Sequence, residues 1–159
     1  MNRGAQQLGL KKSNFASAHG MYHEFNHSCA YDMARLCHNI MKDQLFKEIV
    51  KVQHRECASQ KYSGHIYRWK NTNHLLKYDP NCTGIKTGVT WAAGPCLAAS
   101  VRREGSNICV IILSCASAES RWVEVPKLVN WGLAKLLKIN TSKLRPKMKK
   151  KIIKNFTYI

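Results

Sequence analysis

The apolar and polar positions of this chain predict helices at both ends and a group of strands between them. In the first clear helix, apolar residues follow the three- and four-residue intervals of one helical face, at Met33, Leu36, Cys37, Ile40 and Met41. Ser28 is the predicted N-cap of this helix, and Asp32 lies near its positive end. Residues 1–10 indicate the end of a helix that Gly9 closes, residues 11–27 an irregular stretch, and residues 45–50 two further helical turns.

Beyond Lys51 the spacing becomes typical of short strands. The predicted strand-like pieces are residues 66–69, 71–76, 83–94, 96–103 and 107–115. Glu104-Gly105-Ser106 predicts a hairpin turn between the last two. Residues 108–113 are apolar throughout, which predicts a central strand covered on both faces.

A helical period returns at Ser120, and Pro126 is placed early enough to be tolerated in the first turn. One apolar face of this last helix consists of Val125, Leu128, Val129, Leu133, Leu136 and Leu137. The order of elements predicts an α/β (α+β) domain. We expect an antiparallel sheet of about three strands, a helical part before it, and a C-terminal helix that packs on the sheet.

The length of 159 residues suits one domain, and a hydrophobic fraction of 45% excludes a disordered chain. No run approaches the ~18 apolar residues of a membrane span, and residues 1–7 lack the apolar core of a signal peptide. The sequence therefore carries no visible signal for a compartment.

The net charge of +17 is unevenly spread: residues 143–154 hold seven basic side chains and no acid follows Glu124, while the rest of the chain keeps a net +10 (17 − 7). We predict a domain over residues 1–138 and a basic tail over residues 139–159. Such a field favours anionic partners, namely an anionic polymer or a membrane surface. A merely solvated tail is the other interpretation.

Seven cysteines without a C-x-x-C pair argue against a full disulfide framework and a finger-type zinc site. We expect reduced, buried thiols, with one or two bridges left open. His19, His23 and His27 would meet on a helix, but Gly20 makes a helix there unfavourable, so metal binding is the weaker interpretation. We predict no metal and no cofactor.

Two further patterns carry candidate chemistry. In residues 83–94, Lys86, Thr87 and Gly88 place a cation, a hydroxyl and a missing side chain on one extended segment, which could clamp a peptide carboxylate. By chance alone this triplet is common, and a strand end with a solvated lysine is the plainer interpretation. Basic residues also alternate with Tyr67 and Trp69, which could stack on nucleic-acid bases or face a core.

Six short blocks in one order make the interpretation of the triplet specific. They are M-N-x-x-A-x-x-L-G-L at residues 1–10, F-x-x-x-H-G-M at 15–21, S-x-A-Y-D-M-A at 28–34, N-T-N-x-L-L at 71–76, G-I-K-T-G-x-T-x-x-A-G at 84–94 and W-G at 131–132. This combination resembles the D-alanyl-D-alanine carboxypeptidases, the low-molecular-weight penicillin-binding proteins. The likeness extends from residue 1 to about residue 137.

The resemblance implies a partial serine β-lactamase-like fold and removal of the terminal D-alanine from peptidoglycan stem peptides, in extracytoplasmic proteins that also bind β-lactams. It implies electrostatic catalysis by Lys86, a hydrogen bond from Thr87 to the substrate carboxylate, and an added peptide strand along residues 86–90, Gly88 and Thr90 included. The N–H of Val89 would serve an oxyanion hole. Arg121 falls where the family has a carboxylate-binding arginine.

The chain departs from the family in one respect. No S-x-x-K and no S-x-N, the motifs of the acylated serine and its proton relay, occurs anywhere in the sequence. We therefore expect a fragment that carries the substrate-binding wall and is inactive alone. The alternative function is a non-catalytic binding protein for peptide or anionic polymer.

Overall fold

The structure, a computed structural model, describes residues 1–142 as helices and antiparallel strands. In chain order the elements are α1 (Asn2–Gln7), α2 (Ala30–Ile40), α3 (Gln44–Val50), β1 (His54–Ala58), β2 (Ile66–Lys70), α4 (Leu75–Tyr78), β3 (Cys82–Thr90), β4 (Gly94–Arg103), β5 (Ser106–Ile112) and α5 (Ser120–Ser142). Two sheets form within these residues, β1-β2 and β3-β4-β5. The predicted class, with three antiparallel strands and a C-terminal packing helix, is confirmed. The basic stretch from Lys143 lies outside the described residues.

Strand β4 is the centre of both the three-stranded sheet and the core. Leu97, Ala99 and Val101 on β4 are 1%, 0% and 1% exposed. The predicted turn joins β4 to β5, and its residues Glu104 and Gly105 have φ angles of 49° and 72°. Two consecutive left-handed residues are what a two-residue type I′ hairpin turn requires.

Strand β5 lies at an edge of the sheet, so the expectation that residues 108–113 form a central strand is wrong. The expected cover on both faces is present. A Cβ on Gly132 of α5 would lie 3.5 Å from Ile108, while Cys37 of α2 hydrogen-bonds Cys109. Successive strand residues face opposite sides, so α5 and α2 cover opposite faces of β5. An apolar run therefore reports the cover of a strand and not its position in the sheet.

Helix α5 buries a narrower face than its sequence predicts. Val125, Val129 and Leu133 enter the core, whereas Leu128 and Leu136 are 41% and 39% exposed. The buried positions follow one line of four-residue steps, and their neighbours lie beside it. Pro126 lies in the second turn and not in the first. Among the helices of residues 1–142, none has both the length and the apolar character of a bilayer span.

Residues 1–50 contain the predicted helices, but two details of the sequence prediction are corrected. The N-cap of α2 is Cys29, because the Ser28 hydroxyl is engaged 2.7 Å from that of Ser13. Residues 45–50 form a separate helix, α3, which begins where Asp43 accepts the N–H of Phe46 at 2.7 Å. The other expected features hold, since Gly9 closes α1 with φ of 68° and residues 11–27 are irregular.

Residues 71–76 do not form the predicted strand. The Oδ1 atom of Asn73 accepts the N–H of Leu75 at 3.2 Å, and the short helix α4 follows. Side-chain amides compete with strand ladders for backbone groups, which explains the difference. Strand β1, which no sequence pattern singled out, pairs with the predicted strand β2 over five residues each.

All seven cysteines are free thiols, but they are not uniformly buried as expected, because Cys57 is exposed on β1. Cys37 and Cys109 contact each other between α2 and β5. The hydrogen bond that the Cys109 thiol donates to Cys37, together with burial, raises the pKa of Cys109. This thiol therefore stays protonated and inert at neutral pH.

Candidate functional site

The candidate site begins at β3, which is an edge strand. It pairs with β4 through a regular register that includes Lys86 opposite Ala98 and Gly88 opposite Cys96. On its other side, β3 has no strand neighbour within residues 1–142. Its last half is exposed to half-buried, in contrast to Ile85 just before it. The K-T-G segment therefore presents a free, solvated backbone edge.

Backbone polarity along this edge follows from one hydrogen bond. The carbonyl of Pro95 accepts the N–H of Cys115 at 2.9 Å, so this carbonyl faces away from β3. Its partner Val89 then directs its own N–H and C=O away from β4, as paired residues without mutual hydrogen bonds do. Thr87, two residues earlier, has the same orientation. Both residues thus turn backbone groups toward the position of an added strand, although the Thr87 carbonyl also accepts the Lys86 ammonium.

A cavity of ≈ 720 Å³ lies along the free edge, and we call it the K-T-G cavity. Its lining includes Lys86, Thr87, Gly88, Val89 and Arg121. The structure thus brings together five of the six residues that the sequence singled out. The sixth, Thr90, is not part of the lining, and its Oγ1 accepts the N–H of Ala93 at 3.0 Å in the turn that follows β3.

Lys86 and Gly88 give this cavity charge and space. The Lys86 ammonium donates to the carbonyl of Thr87 at 2.5 Å and has no carboxylate partner among the described residues. A Cβ built on Gly88 would meet no atom within 4 Å. No atom of the described residues therefore fills the space beside Gly88. What the missing side chain admits is a ligand backbone.

The side chain of Thr87 contacts Thr72, a residue that the sequence did not single out. The hydroxyls of Thr72 and Thr87 are hydrogen-bonded at 2.6 Å. Thr72 belongs to the loop before α4, where a strand was predicted. The hydroxyl that accepts this bond keeps its own proton, so when Thr72 donates, the Thr87 hydroxyl is free to donate to a carboxylate.

Arg121 also lines the K-T-G cavity and is only 6% exposed. Its Nε atom donates to the carbonyl of Ala118 at 2.9 Å, and Nη1 donates to the carbonyl of Cys96 at 3.1 Å. The guanidinium also lies 4.9 Å from the ring centroid of Trp122. Within residues 1–142, Nη2 makes no hydrogen bond to the protein. The side chain is thus fixed in place with one nitrogen available for an anion.

Aromatic residues line the K-T-G cavity together with Lys86 and Arg121. The rings of His74 and Trp122 stack with centroids 5.0 Å apart and planes at 24°. Both line the K-T-G cavity, as do Tyr78 and Gly20. Gly20 and His74 lie within the family blocks at residues 15–21 and 71–76, but the sequence analysis gave a role to neither, nor to Tyr78 or Trp122.

The loop that carries Gly20 is anchored by a buried carboxylate. Asp32, 2% exposed, accepts the N–H of Lys12 and the hydroxyl of Ser13, each at 2.7 Å. Burial acts to raise the pKa of Asp32, but the hydrogen bonds from Ser13 and Lys12 outweigh it and hold the pKa below its usual value of 3.8. The Asp32 carboxylate therefore stays charged and ties the loop to α2.

The histidines of this loop serve its turns. The Nδ1 atom of His19 accepts the N–H of Met21 at 3.0 Å, and that of His23 accepts the N–H of Phe25 at 3.2 Å. The described residues contain no cluster of three side chains that could hold a metal ion. The hydroxyls on the K-T-G cavity belong to Thr72, Thr87 and Tyr78, and no serine of the described residues lines it.

A free strand edge bearing Lys-Thr-Gly, faced by a buried arginine, defines a domain of the transpeptidase-like class. The crystal structure of the Streptomyces K15 DD-transpeptidase has this fold, with a TM-score of 0.78 and 30% sequence identity. The superposition covers 84% of this chain and 52% of the transpeptidase. The family model for D-alanyl-D-alanine carboxypeptidases matches residues 1–117, and the chain belongs to that family.

Curated relatives agree with this assignment. The D-alanyl-D-alanine carboxypeptidase DacF of Bacillus subtilis (strain 168) is 29% identical over 159 residues, which cover 94% of this chain and 39% of DacF. The D-alanyl-D-alanine carboxypeptidase of Streptomyces sp. (strain K15) is 30% identical over 137 residues, 84% of this chain and 47% of the relative. The chain therefore spans less than half the length of these two relatives.

Proposed function

We propose that this chain forms the substrate-holding wall of a serine-type D-Ala-D-Ala carboxypeptidase site. The ligand is the stem peptide of peptidoglycan, bound by its terminal carboxylate. The single observation that carries the proposal is the K-T-G cavity itself, because it joins a free strand edge to an anchored arginine. Relatives that bear the name D-alanyl-D-alanine carboxypeptidase support the choice of peptide.

Each group in the cavity has a role that fits an extended peptide. Thr87 and Val89 turn backbone groups outward, so the peptide adds as a strand along β3. The Thr87 hydroxyl and the free Nη2 of Arg121 bind the carboxylate, aided by the charge of Lys86. The N–H of Val89 is a donor for the oxyanion of a tetrahedral intermediate.

Hydrolysis needs a nucleophile that this sequence does not supply in the family's form. The covalent step uses a serine of S-x-x-K with its proton relay, and neither motif is present in the 159 residues. Loss of the nucleophile and base of a serine hydrolase costs on the order of 10⁶ in rate. The function proposed for this chain alone is therefore binding. Turnover, and acylation by β-lactams, require a serine contributed from outside it.

Peptide binding is tested by titrating this chain with an N-acetylated peptide that ends in D-Ala-D-Ala and with its C-terminal amide. We expect the amide to bind about tenfold or more weakly, because charge-assisted hydrogen bonds to the carboxylate are lost. Lys86→Ala should weaken binding of the acid alone. Lys127→Ala, which removes an exposed lysine paired with Glu124, is the matched control. Equal affinity for acid and amide would contradict the proposal.

The missing nucleophile is tested with a fluorescent penicillin. We expect no covalent label on this chain alone. Co-expression with an upstream segment of a relative that contains S-x-x-K and S-x-N should produce a labelled complex. Labelling of the isolated chain would show that another of its side chains acts as the nucleophile.

The second candidate is a non-catalytic protein that binds an anionic polymer or a membrane surface. It is favoured by the net charge of +17 and by the basic residues from Lys143 onward. This function predicts binding to a polyanion that weakens steeply with salt and is unaffected by Lys86→Ala. Removing residues 143–159 should then abolish binding. Peptide affinity in the K-T-G cavity would be unchanged by that truncation.

A further inference from the structure

The β1-β2 hairpin carries large apolar side chains that pack into no core. All five residues of each strand are exposed. Tyr67 and Trp69 are 41% and 54% exposed, although aromatic residues in strands usually gain their stability from burial. The interpretation of these aromatics as core residues is therefore wrong. An exposed aromatic surface of this kind marks a binding site.

Three ring-bearing side chains form a row along this hairpin: His65, which directly precedes β2, and Tyr67 and Trp69 within β2. They are spaced by two residues, so they project on the same side. The His65 and Tyr67 rings contact edge to face with centroids 4.6 Å apart. The Tyr67 and Trp69 rings are nearly parallel, at 17°, with centroids 5.7 Å apart. These contacts fix the rings before a ligand arrives, which lowers the entropic cost of binding. We call this the aromatic row.

Trp69 also forms a wall of a groove of ≈ 650 Å³ between the hairpin and α3, the hairpin groove. Its apolar lining includes Leu45 and Ile49, which are 67% and 61% exposed. Planar polar side chains surround this surface, namely Glu48, Gln53, His54 and Arg55. Sugar rings present apolar C–H faces with hydroxyl groups at their rims. An aromatic ring rimmed by planar hydrogen-bonding groups matches that chemistry.

The hairpin groove is continuous with the K-T-G cavity. Asn71 and His54 line both the groove and a small neighbouring cavity at the base of the hairpin. His74 and Tyr78 line that neighbouring cavity and also the K-T-G cavity. Shared lining residues therefore connect the proposed peptide site, through the small cavity, to the groove at Trp69.

We propose that the aromatic row and the hairpin groove bind the glycan strand of peptidoglycan, the sugar chain to which the stem peptide is attached. The inference rests on the proposed function, because it assigns the sugar part of the same substrate to a second surface. Continuity between the two surfaces favours a sugar chain over a nucleic acid. Acidic stem peptides along the strand complement Arg55 and Lys70 beside Trp69.

The test is a titration of the intact chain with soluble glycan strands from which the stem peptides have been removed. We expect Trp69→Ala and Tyr67→Ala each to weaken glycan binding about tenfold, in line with the stacking energy of one ring. Trp131→Ala is the matched control, since Trp131 is 63% exposed on α5, away from the hairpin. Affinity for the D-Ala-D-Ala peptide should stay unchanged in all three variants. Far-UV circular dichroism confirms their fold.

The outcomes separate this inference from the proposed function. Glycan binding that is absent, or that survives both Trp69→Ala and Tyr67→Ala, overturns the inference. A single-stranded oligonucleotide that displaces the glycan and binds more tightly would overturn it in favour of nucleic acid. If the glycan binds through Trp69 while the D-Ala-D-Ala peptide does not bind, the proposed function fails and the sugar site stands alone.

Discussion

The two sheets of this protein use similar residues for opposite purposes. In the three-stranded sheet, Leu97 and Val101 are each 1% exposed, whereas Tyr67 and Trp69 on the β1-β2 hairpin are 41% and 54% exposed. Helices cover both faces of β5, but within residues 1–142 no helix covers the face of β2 that carries the aromatic row. Burial stabilises the first sheet at about 25 cal/mol per Å² of apolar surface, and the second gains little. The comparison separates residues that hold the fold from residues that are available to a ligand.

A hairpin that buries so little needs an anchor, since isolated two-stranded hairpins are marginally stable. The anchor lies at its base. The side-chain amide of Asn71 donates to the carbonyls of Val50 and Val52, at 3.2 Å and 2.9 Å. Gln53 donates to the carbonyl of Leu76 at 2.9 Å. Polar contacts at one end thus position the hairpin while its faces stay open.

The largest effect expected from this comparison is the cost of a core truncation. Leu97→Ala should lower the free energy of unfolding by about 3 kcal/mol, because it leaves a cavity in the centre of the sheet. Trp69→Ala removes more atoms but should cost less than about 1 kcal/mol, because the side chain is half exposed. Urea denaturation of both variants measures the difference. A cost for Trp69→Ala equal to that of Leu97→Ala would mean that the hairpin is part of the core.

Sequence patterns predicted four of the five strands, all but β1, but not this difference between the two sheets. Alternation and β propensity mark a strand, and Ile66-Tyr67-Arg68-Trp69 satisfies both. Whether a strand is covered depends on which helix reaches it, and that information lies far away in the chain. The same limit explains the position of β5, because covering helices on both faces produce a run as apolar as that of a central strand.

Residues of the candidate site could be predicted only where a sequence motif lies on a segment whose backbone conformation was also predicted correctly. Lys86 and Thr87 were found from three letters and the ordered blocks around them. Thr72, which contacts Thr87, was missed because its segment was predicted as a strand. The side-chain oxygen of Asn73 accepts the backbone N–H of Leu75, which competes with strand pairing. Hydrophobic spacing does not report such a local hydrogen bond.

A smaller effect, confined to acid, should appear in the body of the protein and not in the hairpin. The pKa of Asp32 is lower in the folded chain than its usual value of 3.8, so its carboxylate stabilises the fold above about pH 4. That contribution is lost as the pH falls toward the lowered folded pKa. Asp32→Asn should lower the urea midpoint by a constant amount between pH 7 and pH 5. Below about pH 4 the difference between the variant and the unmodified chain should narrow, and it should vanish once the pH lies below the lowered folded pKa.

The control for this pH series is Asp43→Asn, at an exposed N-cap where asparagine also accepts the N–H of Phe46. Its urea midpoint at neutral pH should stay close to that of the unmodified chain. A gap between Asp32→Asn and the unmodified chain that does not narrow at all as the pH falls from 5 to 3 would show that the loss reflects packing and not the charge of Asp32.

The smallest effect concerns one ion pair from each region. Asp79 pairs with Arg103 at 2.8 Å with 15% and 30% of their side chains exposed, whereas Glu56 pairs with Arg68 on the hairpin at 2.8 Å with 60% and 66% exposed. Asp79→Asn should cost about 1 kcal/mol of unfolding free energy, because a partly buried charge loses its partner. Glu56→Gln should cost less than about 0.5 kcal/mol, since water screens the exposed pair. Equal costs in urea denaturation at low salt would show that solvent screens both ion pairs alike. The distinction between a buried structural sheet and an exposed hairpin would then not extend to their charged residues.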